Sequence, residues 1–260
     1  MTAQSRSHTY ELACMGLAAM VWAGAAQAGD DDAITPYRPS VSSPAQLPLA
    51  GQLEFELGGL QVRAADARRR SLPYLFKLAF SKEWGLLIGG ELHVWSHQGS
   101  DEAQGFGDTV VTLKRAWIVD EASAFGVELG AKLPTANDSI GSGKADYTLN
   151  TIVSRDFGAV HMDANLIATR LGLVDPGTSA TQVGASASFS TALAERWSIT
   201  GEISGTRRSG ADSGLQVLTA LAYSPSKRLT IDFGIARAVR PTPAATSLFT
   251  GVVMPLAKLW

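Results

Sequence analysis

Histidines and cysteines, the residues that most often anchor nucleophilic or metal chemistry, are few in this chain, and their spacing argues against it. Beyond the N-terminal region the histidines are His93, His97 and His161, and the sole cysteine is Cys14. No nucleophile motif such as G-x-S-x-G stands beside any of them. His93 and His97 are four apart, a spacing that converges on a metal from a helix but not from an extended strand. Gly141-Ser142-Gly143-Lys144 resembles a phosphate loop only in outline. It lacks the preceding Gly, the following Ser or Thr, and a helix. What remains is charge set at alternate positions. Strand parity assigns one inward face to Glu54, Glu56, Glu91, Glu128, Asp146, Asp163, Glu202 and Asp232, together with Lys77, Lys114, Lys132, His93, His161 and Asn150. Acids in excess over lysines inside a low-dielectric wall would set the ion preference of a pore, towards cations or neutral solutes. The same side chains could instead fill a narrow interior as an ion-pair core.

The elements that must position these charges are strands. After residue 50 the chain alternates apolar and polar residues in about twelve stretches. Phe125, Val127, Leu129, Ala131 and Leu133 face one way while Gly126, Glu128, Gly130 and Lys132 face the other. Leu229, Ile231, Phe233 and Ile235 oppose Thr230, Asp232 and Gly234 in the same manner. Period two with one apolar face is the strand signal. Strands are expected near 52–60, 72–81, 84–96, 107–118, 124–134, 145–156, 159–171, 181–191, 196–206, 213–224, 227–237 and 247–260. The gaps alternate between short ones, such as Asp156-Phe157-Gly158, and long ones near 61–71, 97–106, 135–144, 172–180, 207–212 and 238–246. That cadence predicts an antiparallel, up-and-down transmembrane β-barrel with short turns and both ends on the periplasmic side. Trp84, Trp117, Phe125, Trp197, Tyr223 and Trp260 fall at the short-turn ends of strands, and Tyr74, Trp95, Tyr147 and Phe249 at the opposite ends, as two interfacial belts would. Pro255 predicts a break or bulge in the last strand, and Lys258 is awkward if its face meets lipid.

Three regions follow: a signal peptide over 1–28, a Pro-rich arm over 29–50 and the barrel over 51–260. Leu12 to Ala26 is an apolar run too short to span a bilayer as a helix, and Ala26-Gln27-Ala28 fits cleavage after Ala28. The arm carries Asp30-Asp31-Asp32 and then Pro36, Pro39, Pro44 and Pro48, which oppose helix and central strand alike. It is read as a periplasmic arm, with insertion into the barrel mouth as the alternative. Arg68-Arg69-Arg70 is read as a solvated charge run in the first long loop, with contact to lipopolysaccharide phosphates as the alternative. With cleavage, Cys14 leaves the chain, which excludes disulfides and thiol chemistry. The net charge of −2 gives no support for a nucleic-acid partner.

Gly105-Phe106-Gly107-Asp108 opening a strand, Leu113-Lys114 within it, and Leu133-Pro134-Thr135 closing the next form an ordered set of short motifs. Ile140-Gly141-Ser142-Gly143 before Asp146-Tyr147, then Arg155-Asp156, and the lead Thr35-Pro36-Tyr37-Arg38-Pro39 continue it. In order and spacing, over roughly 35–260, they resemble a Gram-negative outer-membrane family of transporters of the phenol meta-degradation pathway type. The chain departs from the family at Ala136-Asn137, where a Gly is usual. The resemblance implies a barrel and solute uptake, and supplies no substrate and no catalytic residues. Terminal Trp260 resembles the aromatic signal read by the barrel assembly machinery.

The resulting expectation is a monomeric, twelve-stranded barrel in the outer membrane of a Gram-negative bacterium, not an enzyme and without a cofactor or metal. It would pass small solutes, hydrophobic or aromatic ones included. The alternative is a closed barrel that acts through its long loops as a structural or surface-interaction protein. Outer-membrane lipid, lipopolysaccharide, the assembly machinery and an unidentified small solute are the expected partners.

Overall fold

The computed structural model describes residues 33–241 and 244–260; the predicted signal peptide lies outside the described residues. The alternating segments form strands β1 (Gln52–Arg63), β2 (Ala67–Ala79), β3 (Trp84–Gln98), β4 (Asp101–Gly105), β5 (Thr109–Ile118), β6 (Ser123–Leu133) and β7 (Asp146–Phe157). They continue as β8 (Val160–Arg170), β9 (Thr181–Ala194), β10 (Trp197–Arg208), β11 (Gly214–Ser226), β12 (Leu229–Arg240) and β13 (Ala245–Lys258). Each pairs antiparallel with its neighbour. β1 pairs with β13, and the pairing of β2 with β3 completes the ring. Twelve strands close the barrel; the short β4 stands outside the ring. It pairs with Val94–Gln98 of β3, while β5 takes Trp84–Gly89 of the same strand.

Burial is inverted relative to a soluble protein. Lys77, Lys114 and Asp232 are completely buried, whereas Leu129 and Leu166 are 56% and 67% exposed. Ionised groups are costly to bury unless paired, so this pattern marks an inner face of paired charges and an outer face suited to lipid. At the short-turn end Trp84, Trp117, Phe125, Trp197 and Tyr223 lie on the outer face. Trp197 stacks on its cross-strand partner Tyr223 with ring centroids 4.8 Å apart, and Arg115 lies over the rings of Trp84 and Trp117 at 5.1 and 4.6 Å.

Several expectations need correction. The first long connection is a tight turn, because β1 runs to Arg63 and β2 starts at Ala67; the arginine run belongs to β2 and its members alternate faces. The second contains β4. Long irregular connections persist after β6 and β8. Phe249 is not part of a belt. It pairs with Gly234 on the inner face and packs on Leu218, Ala220 and Ala236. In β13, Glu54 pairs with Pro255 but Leu53 with Ala257, so Leu256 is an extra residue and the strand bulges where the proline lacks a donor. The bulge reverses parity beyond it. Lys258 pairs with Gln52 of the inner face and is thereby turned from lipid.

Candidate functional site: the lumen and its arm

An extended, Pro-rich arm has no ladder of its own, yet its backbone N–H and C=O groups must find partners wherever water is excluded. Residues 33–50 find them on the inner wall. The main-chain amide of Thr35 donates to Glu54 at 3.0 Å and that of Tyr37 to Glu56 at 2.8 Å. Val41 and Ser42 both donate to Glu202 Oε2, at 2.8 and 2.9 Å. Ser43 donates to Asn165 Oδ1 and Ala45 to Ser154 Oγ, each at 2.7 Å. The wall returns donors to arm carbonyls: Lys77 to Thr35, Asn165 to Ser43, and Lys114 to Pro44. The arm touches β1, then β12 and β13, then β10 and β9, β8, β7 and β5. It comes back beside β2 through the Ala50–Ala79 bridge. It therefore makes a circuit of the interior, and the expectation of a periplasmic arm gives way to a seat inside the ring.

Side chains lock the circuit. Arg38 bonds Asp232 through two nitrogens, at 2.9 and 3.0 Å, and donates to the carbonyl of Thr250 at 3.1 Å. Its guanidinium lies across Gly58 and Gly251, where an added Cβ would stand 2.6 and 2.3 Å from Arg38 atoms. Two facing glycines thus form the slot. Tyr37 is buried with the ammonium groups of Lys77 and Lys114 at 4.5 and 4.2 Å from its ring, and donates its hydroxyl to Gln46 O at 2.8 Å. Burial, reinforced by the carboxylates of Glu128, Glu56 and Glu54, pushes the pKa of that hydroxyl well above its ordinary value, so it stays protonated as a donor.

The inward acids are engaged one by one. Lys77 bridges Glu54 and Glu56 at 2.9 and 2.6 Å. Lys114 meets Glu128 at 3.0 Å, and Asn150 donates to the other Glu128 oxygen at 2.9 Å. Asp163 accepts from Ser154 and lies 3.2 Å from His161. Towards the long connections Arg69 holds Glu91 at 2.5 Å, and Lys132 lies between Asp108 and Asp146 at 3.2 and 3.0 Å.

His93 is a correction. Ser71 pairs with Val94 but Pro73 with Glu91, so β3 carries an extra residue there and parity flips. Val94 takes the inner face, and His93 turns outward with its ring 4.3 Å from that of Trp95. His97 belongs to the same outer face of β3 and not to a loop. Sequence reasoning missed Arg38, Tyr37, Asn165 and Arg69. The signal for the two arginines was the charge imbalance itself: eight inward acids facing three lysines need cations from elsewhere.

On the long-connection side of the arm lies a cavity of about 370 Å³, lined by Tyr37, Arg38, Leu75, Leu87, Val110 and Thr112 among others. Its apolar wall and polar floor suit a small, weakly polar molecule.

Residues 38–252 match the model of the family described as "Putative MetA-pathway of phenol degradation". The chain belongs to that family. The matched span begins at Arg38, so this family member carries the latching residue within the matched region. An outer-membrane channel from Pseudomonas putida F1 has the same fold, with a TM-score of 0.65 and 12% identity over 89% of this chain and 100% of its own. The NanC porin gives 0.58 at 8% identity, over 78% and 100% of the two chains. The KdgM porin in complex with disordered oligogalacturonate gives 0.56 at 10% identity, over 78% and 99%. No curated protein matches the chain.

The slot for Arg38 yields a direct test. Gly251→Val should expel the guanidinium and leave Asp232 buried without its cation, lowering stability by about 3 kcal/mol. The midpoint of urea unfolding in detergent checks this, and an unchanged midpoint would show that the latch contributes nothing.

Proposed function

We propose that this family member is a passive outer-membrane channel for small neutral solutes, aromatic ones included, whose permeability is set by its own N-terminal arm. One observation carries the reading: most inward acids are already engaged, by Arg38 and the amides of the arm, by wall lysines, by Arg69 or, for Asp163, by Ser154 and His161. Most of the wall charge is therefore tied up in close pairs, which weakens its selection among ions. The cavity above the arm, with Leu75, Leu87 and Val110 on its wall, supports entry of apolar molecules. The family's link to phenol breakdown agrees with that chemistry. The earlier expectation of cation preference narrows to neutral solutes for the intact chain.

A second reading has its own support, since an arm that circles the interior is also what a closed, structural barrel would contain. Uptake separates the two. Vesicles with lipopolysaccharide in the outer leaflet, slow to admit apolar solutes, would receive the full mature chain. Phenol should then enter faster than into protein-free vesicles, with glucose and benzoate slower. If no solute enters faster than the protein-free rate, the channel reading fails and the closed barrel stands.

A further inference from the structure

On the outer face at the long-connection end, cross-strand pairing sets residues in two rows. Arg63, Arg68, His97 and Glu102 form the upper row, and Gln61, Arg70, Trp95 and Gln104 the one below it. Three arginines thus converge on one outward patch. The side chains of Arg63 and Arg70 have no hydrogen-bond or ion-pair partner among the described residues. Arg68 donates to Gln61 at 2.9 Å, and its Nε–H is buried with no partner. The nearby acid Glu102 is engaged with His97 at 3.3 Å. A cavity of about 720 Å³ lies against Arg68, Arg70, Trp95, His97, Glu102 and Gln104. Immediately below, the outward residues of β2 turn apolar, as Leu72, Tyr74 and Phe76. A cluster of three arginines whose charge the protein only partly offsets calls for an external anion. One that tops an apolar membrane wall calls for an anion with hydrocarbon attached.

We infer that the outer face of β1–β4 binds the phosphorylated headgroup of an outer-leaflet glycolipid, with its acyl chains along Leu72, Tyr74 and Phe76. Arg68 and Arg70 are two apart on one strand face, about 7 Å along it. Their planar forks match phosphate oxygens in bidentate fashion. Trp95 sits at the level where headgroup meets hydrocarbon. This site rests on the membrane placement of the barrel and is independent of whether the lumen conducts.

The test titrates the full mature chain in detergent with bis-phosphorylated lipid A and reads bound lipid by native mass spectrometry. Parallel titrations use the same lipid with its phosphates removed, and inorganic pyrophosphate. The Arg68→Gln/Arg70→Gln variant changes only outward side chains and should lose about tenfold in lipid A affinity. Arg68→Lys/Arg70→Lys, which keeps the charge but loses the fork, should fall between that variant and the parent, and Arg155→Gln, on the outer face of the opposite end, should match the parent chain. Equal affinity of the double Gln variant and the parent would overturn the proposal. So would equal binding of the dephosphorylated lipid, or pyrophosphate binding as tight as lipid A, which would mark a simple anion site.

Discussion

Deleting residues 33–47 is expected to raise single-channel conductance about tenfold and to make the pore cation-selective. Both effects have the same origin. The arm occupies the interior at the level of Glu54, Glu56 and Glu202, and its amides donate to those carboxylates. Without it, Glu202 and Asp232 lose their partners outright, while Lys77 and Lys114 still offset only part of the remaining charge. A net acidic ring inside a low-dielectric wall attracts cations, because water and salt screen it poorly there. Reversal potentials in a KCl gradient across a planar bilayer measure the selectivity, and the current step measures the opening. The intact chain should show a small current with weak selectivity. An arm-deleted barrel that carries the same current as the intact chain would refute the arm as the limiting element.

Lys77→Met should be the most damaging single substitution in the wall. Its ammonium group is fully buried and is the common partner of Glu54 and Glu56, two residues apart on one strand face. Removing it leaves two adjacent carboxylates facing each other in a dry site. Breaking a buried pair from one side costs about 3–5 kcal/mol. The arm would also lose the donor to Thr35, so the seat of Tyr37 loosens with it. The expected readout is a large fall in the urea midpoint, partly recovered in the Glu54→Gln/Lys77→Met double variant, where one of the two charges is gone. A midpoint within experimental error of the parent would show that the pair adds nothing to stability.

Much of the barrel is legible in the sequence because period two is a local signal. Phe125 to Leu133 alternates without a break, and β6 follows it residue by residue. Parity fails where one residue is inserted. Nothing in the run from Glu91 to Trp95 announces that β3 has gained a residue, so His93 changes sides; at Leu256 the neighbouring proline does give warning. The extent of strands beyond the membrane is also hidden, because Arg68 and Arg70 carry the composition of a loop while pairing as a strand. The arm is the least legible part. Four prolines tell what it cannot form, but its partners Asn165, Ser154 and Glu202 lie more than a hundred residues away and share no local pattern with it.

The latch formed by Arg38 sits where the two ends of the barrel meet. It reaches Gly58 on β1, Gly251 and Thr250 on β13, and Asp232 on β12, so it spans the seam joining the first strand to the last. A slip of one residue by β1 would bring Leu57 to the inner face in place of Gly58, and a slip by β13 would bring Val252 there in place of Gly251; either way a side chain would fill the slot. The arm, which precedes every strand of the ring, can therefore dock only after β13 has arrived in the correct register. Docking of the arm is then a late folding event of very high contact order, and Arg38 acts as an inspector of closure, settling only on a barrel whose ends have been joined correctly.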